Sequence, residues 1–301
     1  MSTLTTSVAF QTLKATLEEI VTDDTDNVEK NVVYKQYMKV EGMKDNYVDD
    51  LSNGGPGLAT EKAEGQALDV LDLNNGYQTR YLARKFGLIM QITEELDEDG
   101  KYNDEYIDAA RRMKRAVFKT MEVECAQILN RVHNSGYVGG DGLALGSASH
   151  TIPGGGTFSN TLSTAFSPSR AALIVVRQNL MTMPGWDGVT EGYMPTAVVH
   201  PPAQWGAWAG ILQSEKVPES GNNETNVAKS LNLKQVPVPY WTASTTNWLV
   251  LTDAARLKLK VRRKPKARTW YDEATEVINH GISARWARGW SDPRAVYTSN
   301  A

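Results

Sequence analysis

The clearest periodic pattern in the chain predicts one long helix over residues 103–132. Apolar side chains recur at three- or four-residue intervals from Tyr106 to Val132, which is the spacing of a single buried helix face. Asn103 is a good N-cap, and the acidic residues after it suit the helix dipole. At 1.5 Å per residue, about thirty residues make a rod of roughly 45 Å. We therefore expect this helix to act as the spine of the fold.

The sequence before this helix predicts a long hairpin with a glycine-rich tip. The stretches Asn53-Gly54-Gly55-Pro56-Gly57 and Asn74-Asn75-Gly76 are dense in turn formers and exclude a continuous helix. Strand formers flank them over residues 44–51 and 77–93. Such a hairpin cannot fill a core of its own, so we expect it to bind something. Apolar residues at helical spacing over 13–21 predict a short helix or docking arm ahead of it.

The second half of the chain predicts a mixed α/β unit followed by a β-hairpin. The mixed unit extends over residues 167–255, because predicted helices and strands alternate there. Ser167 is expected to cap its first helix, with Pro168 at the first helical position. The other elements are a strand over 196–200, a helix over 203–212 and a strand over 248–251. Period-two alternation after Leu257 and again over 274–290 predicts a long antiparallel hairpin that returns to the spine helix.

Composition narrows the class of protein. The chain has 301 residues, 41% hydrophobic and 22% charged, which is an ordinary globular mix and excludes coiled coil and low-complexity disorder. No apolar run approaches the roughly 18 residues that span a bilayer, so we expect a soluble chain without a membrane partner. Cys125 stands alone, which excludes an intrachain disulfide and a cysteine-cluster metal site, and the N-terminus does not resemble a secretory signal.

Charge is segregated along the chain although the formal net charge is only −3. Acidic residues dominate over 41–108, and basic residues crowd into 256–268. The two regions either pair within one chain or join the acidic region of one copy to the basic region of another, as complementary patches do. The candidate contacts between copies are Asp49, Asp50, Lys62, Glu64, Arg80, Arg84, Lys258, Lys260 and Arg262.

Candidate catalytic and metal-binding residues form no persuasive pattern. Asp141, Ser147 and His150 are the residue types of a hydrolase triad, but triad members come from distant segments and Ser147 lacks the usual elbow motif. A hydrogen-bonded turn is the better interpretation, and a hydrolase using Ser147 and His150 stays as a remote alternative. The four histidines have no second ligand at metal spacing. We predict no catalytic, cofactor or metal site.

Three stretches resemble a specific family. They are DGLALGSASHTIPGGGTFSN (141–160), TAVVHPP (196–202) and ARWARGWSDPRAVYTSNA (284–301). These stretches are similar in sequence to the Mu-like major head subunits. The order of the predicted elements resembles that of the major capsid proteins of tailed double-stranded DNA bacteriophages. The resemblance spans nearly the whole chain in order.

This resemblance implies an α+β fold of the Hong Kong 97 type. It assigns an N-terminal arm to residues 1–40, an extended E-loop to 41–93, a peripheral domain with the spine helix to 94–166, an axial domain to 167–255, and return strands with a tail to 256–301. The implied function is structural and not enzymatic. Many copies, as hexamers and pentamers, tile an icosahedral shell around packaged double-stranded DNA in a virion assembled in the host bacterial cytoplasm.

The resemblance also bears on partners. Only about forty residues precede the E-loop, so any scaffold is expected to be a separate protein, alongside a portal and decoration proteins. Lys62 lies near the E-loop tip, where some relatives form an isopeptide bond, but no feature identifies a partner Asn, and we predict no crosslink. The basic strand over residues 258–266 would meet either packaged DNA or a neighbour's acids. The alternative function is an encapsulin-type cellular compartment.

Overall fold

The computed structural model describes residues 31–53, 57–59, 61–68, 70, 75–95, 103–164, 166–217 and 224–299, together with residues 15 and 19. The predicted N-terminal helix or arm therefore lies almost entirely outside the described residues. No helix within them is long and apolar enough to cross a membrane.

The described residues form two four-stranded sheets, two short two-stranded sheets and four α-helices. The strands are β1 (Met38–Gly42), β2 (Tyr47–Asn53), β3 (Asn75–Leu82), β4 (Arg84–Thr93), β5 (His150–Thr151), β6 (Thr157–Phe158), β7 (Pro195–His200), β8 (Lys234–Pro237), β9 (Trp248–Thr252), β10 (Leu257–Asp272), β11 (Val277–Gly289) and β12 (Val296–Ser299). The helices are α1 (Asn103–Asn130), α2 (Arg170–Met181), α3 (Trp205–Gln213) and α4 (Val227–Ser230).

The first sheet has the strand order β1-β10-β11-β4 and packs against α1, the predicted spine helix. β10 and β11 form the long antiparallel hairpin that the alternation after Leu257 predicts. Leu257 and Leu259 of β10 are fully buried, as are the alternate residues Ile282 and Trp286 of β11. This face of the sheet therefore supplies the apolar layer that covers the helix.

The second sheet has the order β12-β9-β7-β8 and lies between two apolar clusters. Val199 and Leu249 point into the cluster that contains α1, whereas Val198 and Trp248 point into the cluster beneath α2 and α3. Adjacent residues point to opposite faces because side chains alternate along a strand. Both faces of this sheet are thus buried, which explains why its two central strands, β7 and β9, are mainly apolar.

Two boundaries differ from the sequence prediction in this half of the chain. The first helix of the α/β unit is capped by Ser169 and not by Ser167, because the Ser169 hydroxyl accepts the Ala172 amide at 3.1 Å. β12, near the C-terminus, pairs with β9 of the second sheet, although the sequence prediction grouped residues 256–301 with the spine helix.

The extended arm predicted over residues 77–93 is divided at Ala83. Before it, β3 pairs with β2, and after it, β4 pairs with β11 in the first sheet. β4 belongs to the body because Phe86 stacks on Trp286 with 4.2 Å between ring centroids, and Ile92 is buried. The projecting hairpin is therefore β2–β3, over residues 47–82, and is shorter than the predicted 41–93.

Truncation of the spine helix at its buried face should destabilise the subunit. Leu129 is 1% exposed in the cluster between the two sheets, so Leu129→Ala should lower the free energy of unfolding by about 2–5 kcal/mol. Chemical denaturation of the unassembled subunit measures this change. Leu58→Ala is the matched control, because Leu58 is 72% exposed; an equal loss in both variants would contradict the assignment of the core.

Candidate assembly surfaces

The connection between β2 and β3 carries apolar side chains that remain exposed among the described residues. Leu58 is 72% exposed, Leu68 is 74% exposed and Val70 is 93% exposed. A two-stranded sheet is marginally stable in water because it has no second layer to pack against. Exposed apolar residues gathered on one projecting element are typical of an interaction surface.

An ion-pair cluster ties the base of this hairpin to the first sheet. Asp50 of β2 accepts hydrogen bonds from the Lys258 ammonium at 2.7 Å, the Lys260 ammonium at 2.5 Å and the Ser291 hydroxyl at 3.0 Å. Burial acts to raise the pKa of Asp50, but these hydrogen bonds outweigh it and hold the pKa below its ordinary value. The carboxylate is therefore ionised in the folded chain at neutral pH and anchors the hairpin.

A glycine-rich loop supports the other strand of the hairpin. A side chain added at Gly140 would lie 2.9 Å from Cβ of Tyr77 and 3.0 Å from the carbonyl oxygen of Gln78. Only glycine therefore allows the loop to lie this close to β3. The Tyr77 hydroxyl also lies 2.6 Å from the Thr151 hydroxyl. The hairpin thus leaves the body from a base that is held on both strands.

Five of the charged residues predicted to contact a second copy form ion pairs within their own chain. Asp50, Lys258 and Lys260 pair within one chain, as the internal alternative requires. Asp49 pairs with Arg80 across the hairpin, with both distances 2.7 Å. Contact of these residues, and of the remaining candidate residues, with a second copy stays a prediction.

The remaining predicted contacts lie at more open positions. Lys62, Glu64 and Arg84 are exposed. Arg262 is half-buried, and its Nη1 atom has no hydrogen-bond partner among the described residues. The structure does not bring these four together with the Asp50 cluster as a single site.

Asp141, Ser147 and His150 do not form a nucleophile and base. Nδ1 of the buried His150 lies 2.5 Å from Asp141, but its Nε2 lies 3.2 Å from Oδ1 of Asn160. Asn160 also donates to the carbonyl oxygens of Leu145 and Pro293 and accepts the Ser147 amide. Both imidazole nitrogens are thus engaged away from the Ser147 hydroxyl, and the cluster is the hydrogen-bonded turn that the sequence favoured. Within the described ranges, no group of His, Cys, Asp or Glu side chains could hold a metal ion.

Sequence reasoning named the basic run but not the surface that it helps to form, an open trough of about 890 Å³ on the face of the first sheet that is turned away from α1. We call it the basic trough. Its floor is formed at Gly87 of β4 and Gly281 of β11. The residues that line it are Lys85, Leu88, Ile89, Arg263, Lys266, Arg268 and Trp270. The run of cations after Arg262 was the available signal, but only strand pairing shows which of them share a face with β4.

Comparison with known proteins agrees with this architecture. A family model described as phage capsid protein matches residues 76–299. Because this is most of the chain, the chain belongs to the phage capsid protein family. It is therefore a major capsid protein, as the resemblance to tailed phages predicts. No curated protein matches it.

Solved structures share the fold at low sequence identity. One from Mycobacterium phage Adephagia is 10% identical over 89% of each chain, with a TM-score of 0.53. The capsid of the empty GTA particle is 12% identical over 89% of each chain, with a TM-score of 0.52. The holo-SrpI encapsulin complex from Synechococcus elongatus PCC 7942 is 7% identical over 88% of this chain and 85% of that chain, with a TM-score of 0.53. These likenesses support a mixed helix and strand capsid fold.

Removal of the Asp50 charge should loosen the hairpin base. Asp50→Asn removes the carboxylate that Lys258 and Lys260 share, and leaves Lys260 only the longer contact with Glu41 at 3.6 Å. The hairpin should therefore open locally with a loss of about 1–3 kcal/mol. Hydrogen exchange of the β2 and β3 amides measures the opening. Asp49→Asn is the matched control, since its partner Arg80 lies on the hairpin itself, and equal effects would contradict the anchoring role.

The same anchor should depend on pH. Because the pKa of Asp50 is lowered in the folded chain, its stabilising contribution is complete above pH about 4, the ordinary value for Asp. It is lost as the pH falls through the lowered pKa. The protection of the hairpin amides, taken relative to their intrinsic exchange rates at each pH, should therefore fall below the lowered pKa in the natural chain and change less in Asp50→Asn.

Asn160 should matter more to stability than Ser147. Asn160→Ala leaves several buried groups without partners and should cost about 2–3 kcal/mol, whereas Ser147→Ala should stay within about 0.5 kcal/mol. Thermal or chemical unfolding distinguishes the two. A hydrolytic activity that Ser147→Ala abolishes without a change in stability would revive the hydrolase alternative.

Proposed function

We propose that this capsid protein has the Hong Kong 97-type fold and that its subunits assemble through the β2–β3 hairpin. In this proposal the hairpin is the E-loop, α1 and the first sheet form the peripheral domain, and the second sheet with α2 and α3 forms the axial domain. The observation that carries it is the exposure of Leu58, Leu68 and Val70 on an element whose base is anchored. The branch resembling Mu-like head subunits stays a prediction.

Burial of the hairpin on a neighbour supplies the driving force. Full burial of one large aliphatic side chain stabilises by about 1.5–3 kcal/mol. A few such residues per subunit give a modest contact, but each contact recurs around a closed shell. Many copies arranged as hexamers and pentamers would thus enclose double-stranded DNA in the virion, after assembly in the host cytoplasm with a separate scaffold, a portal and decoration proteins.

An encapsulin-type compartment is the second candidate, because the SrpI encapsulin shares the fold with a TM-score of 0.53. The family match favours the phage shell. The contents of purified particles distinguish the two functions: nuclease-protected double-stranded DNA supports the phage shell, and a co-purifying protein cargo without DNA supports the compartment.

Deletion of the hairpin tip should abolish assembly without unfolding the subunit. Replacement of residues 54–74 by a short Asn-Gly turn, which suits a two-residue hairpin, removes the exposed apolar side chains and keeps the Asp50 anchor. We expect folded subunits by circular dichroism and no particles by negative-stain electron microscopy. Normal particles from this variant, or a natural chain that remains a 33 kDa monomer under all assembly conditions, would contradict the proposal.

A further inference from the structure

An open pocket of about 290 Å³ lies where the base of the hairpin meets the spine helix and the end of β11. We call it the arginine pocket. Its lining includes Arg84, Arg131, Tyr137, Trp286 and Trp290. It lies on the α1 side of the first sheet, because Trp286 belongs to the buried face that covers the helix. The pocket shares no lining residue with the basic trough, which lies on the opposite face.

Positive charge exceeds negative charge in this pocket. Four arginines line it against a single carboxylate among the described residues, that of Glu124. Glu124 already accepts a hydrogen bond from Nε of Arg288 at 2.9 Å, and Arg80 is paired across the hairpin. Arg84 and Arg131 form no ion pair in the described part of the chain. Two guanidinium groups are therefore free to bind an anion.

A buried indole N–H among the lining residues lacks a hydrogen-bond partner. The Trp286 side chain is 1% exposed and stacks on Phe86, yet its Nε1 has no partner among the described residues. The hydroxyl of Thr79, another lining residue, has none either. Buried polar groups in folded proteins are nearly always paired, and an indole N–H can only donate. The fitting partner for Trp286 is therefore an acceptor, such as a carboxylate oxygen.

Exposed apolar side chains form the rim of the pocket. Leu82 is 54% exposed, Val138 is 52% exposed and Tyr137 is 42% exposed. The guanidinium carbon of Arg131 lies 3.9 Å from the centroid of the Tyr137 ring, which holds this cation at the rim. Aromatic residues and arginines are the residue types that concentrate binding energy at protein interfaces. A matching ligand therefore carries apolar groups beside its anion and extends beyond the pocket.

A linear peptide segment meets these requirements better than nucleic acid does. The pocket is close to the smallest size of a ligand site, roughly 300 Å³, so it has room for one or two side chains. Asp or Glu next to Phe, Trp or Leu supplies a carboxylate and an apolar group in consecutive residues, whereas a duplex backbone presents phosphates and sugars. The proposed function already uses the apolar hairpin tip for contacts between copies, so the segment belongs to a different protein.

We propose that the arginine pocket binds a linear segment of a separate protein. A carboxylate of that segment faces Arg84 and Arg131 and accepts the Trp286 N–H, and an adjacent aromatic or aliphatic side chain lies against Tyr137 and Trp290. The choice of a separate protein rests on the proposed function, whereas the chemistry of the ligand rests on the pocket alone. The binding is ionic as well as apolar, so added salt should weaken it.

Peptide binding to the unassembled full-length subunit tests the site. The probes are fluorescein-labelled hexapeptides with one or two Asp residues beside Phe, Trp or Leu, each compared with the same peptide carrying Asn for Asp. We expect the tightest acidic peptide to bind at least tenfold more tightly than its Asn counterpart, as measured by fluorescence anisotropy. Arg84→Gln combined with Arg131→Gln should remove this preference, because both cations that face the carboxylate are lost.

Arg112→Gln is the matched control, since Arg112 is an exposed arginine of α1 outside the pocket, and it should leave the preference unchanged. The indole N–H resonance of Trp286, assigned from its absence in Trp286→Phe, should move on addition of the acidic peptide and not of its Asn counterpart. The absence of a preference in every peptide pair, or an equal preference in the double variant, would overturn the proposal.

Two other occupants give different results with the same variants. A DNA duplex that binds the natural subunit and loses its affinity in the double variant, without any peptide preference, would assign the pocket to nucleic acid. Dimers of the free subunit that the double variant abolishes would assign it to a second copy. Either result would overturn the proposal. The tip-deleted subunit keeps residues 79–82 and should bind the acidic peptide as the natural chain does, so a failure of peptide binding is distinguishable from a failure of the proposed function.

Discussion

A two-stranded hairpin has no second layer, and this constraint governs the rest of the molecule. Apolar side chains on such an element remain in water unless another surface covers them. At the tip of the β2–β3 hairpin, Leu58, Leu68 and Val70 are exposed in this way. The body of the chain, in contrast, has complete apolar clusters of its own. The body of a single subunit therefore has a complete core, whereas the apolar side chains at the hairpin tip remain in water. A protein that forms a shell can bury such side chains against other copies.

The body is built to hold this projection in place. Its two sheets contact a common cluster that includes the spine helix, so the base of the hairpin rests on a packed platform. Asp50 fixes one strand through two lysines, and the close approach of Gly140 supports the other. Tyr81 adds a contact at the base, where its hydroxyl lies 2.8 Å from that of Ser291. Because the base is already held in place, binding at the tip costs less conformational entropy for ordering strands β2 and β3.

Local pattern predicted the elements whose period continues for many residues. The spine helix and the β10–β11 hairpin are of this kind. Buried residues recur about every 3.6 residues along the helix and at every second residue along the strands. Residues 77–93 are rich in strand formers throughout, and only the stacking of Phe86 on Trp286 decides that their second half belongs to the body. The same limit applies to the site. The segregation of charge named Asp50 and Lys258, but these residues are 208 positions apart, so the sequence alone could not decide whether they pair within one chain or between copies. The trough exists only once three strands are paired, so no local signal could reveal it.

Hydrogen exchange of the hairpin tip over residues 57–70, which we call the tip segment, before and after assembly tests the central claim most directly. The account predicts that amides of residues 57–70 exchange rapidly in the free subunit and become strongly protected in purified particles, while those of α1 are slow in both states. Equally rapid exchange of the tip segment in intact particles would contradict it, because a hairpin that stays in water cannot be what holds the shell together.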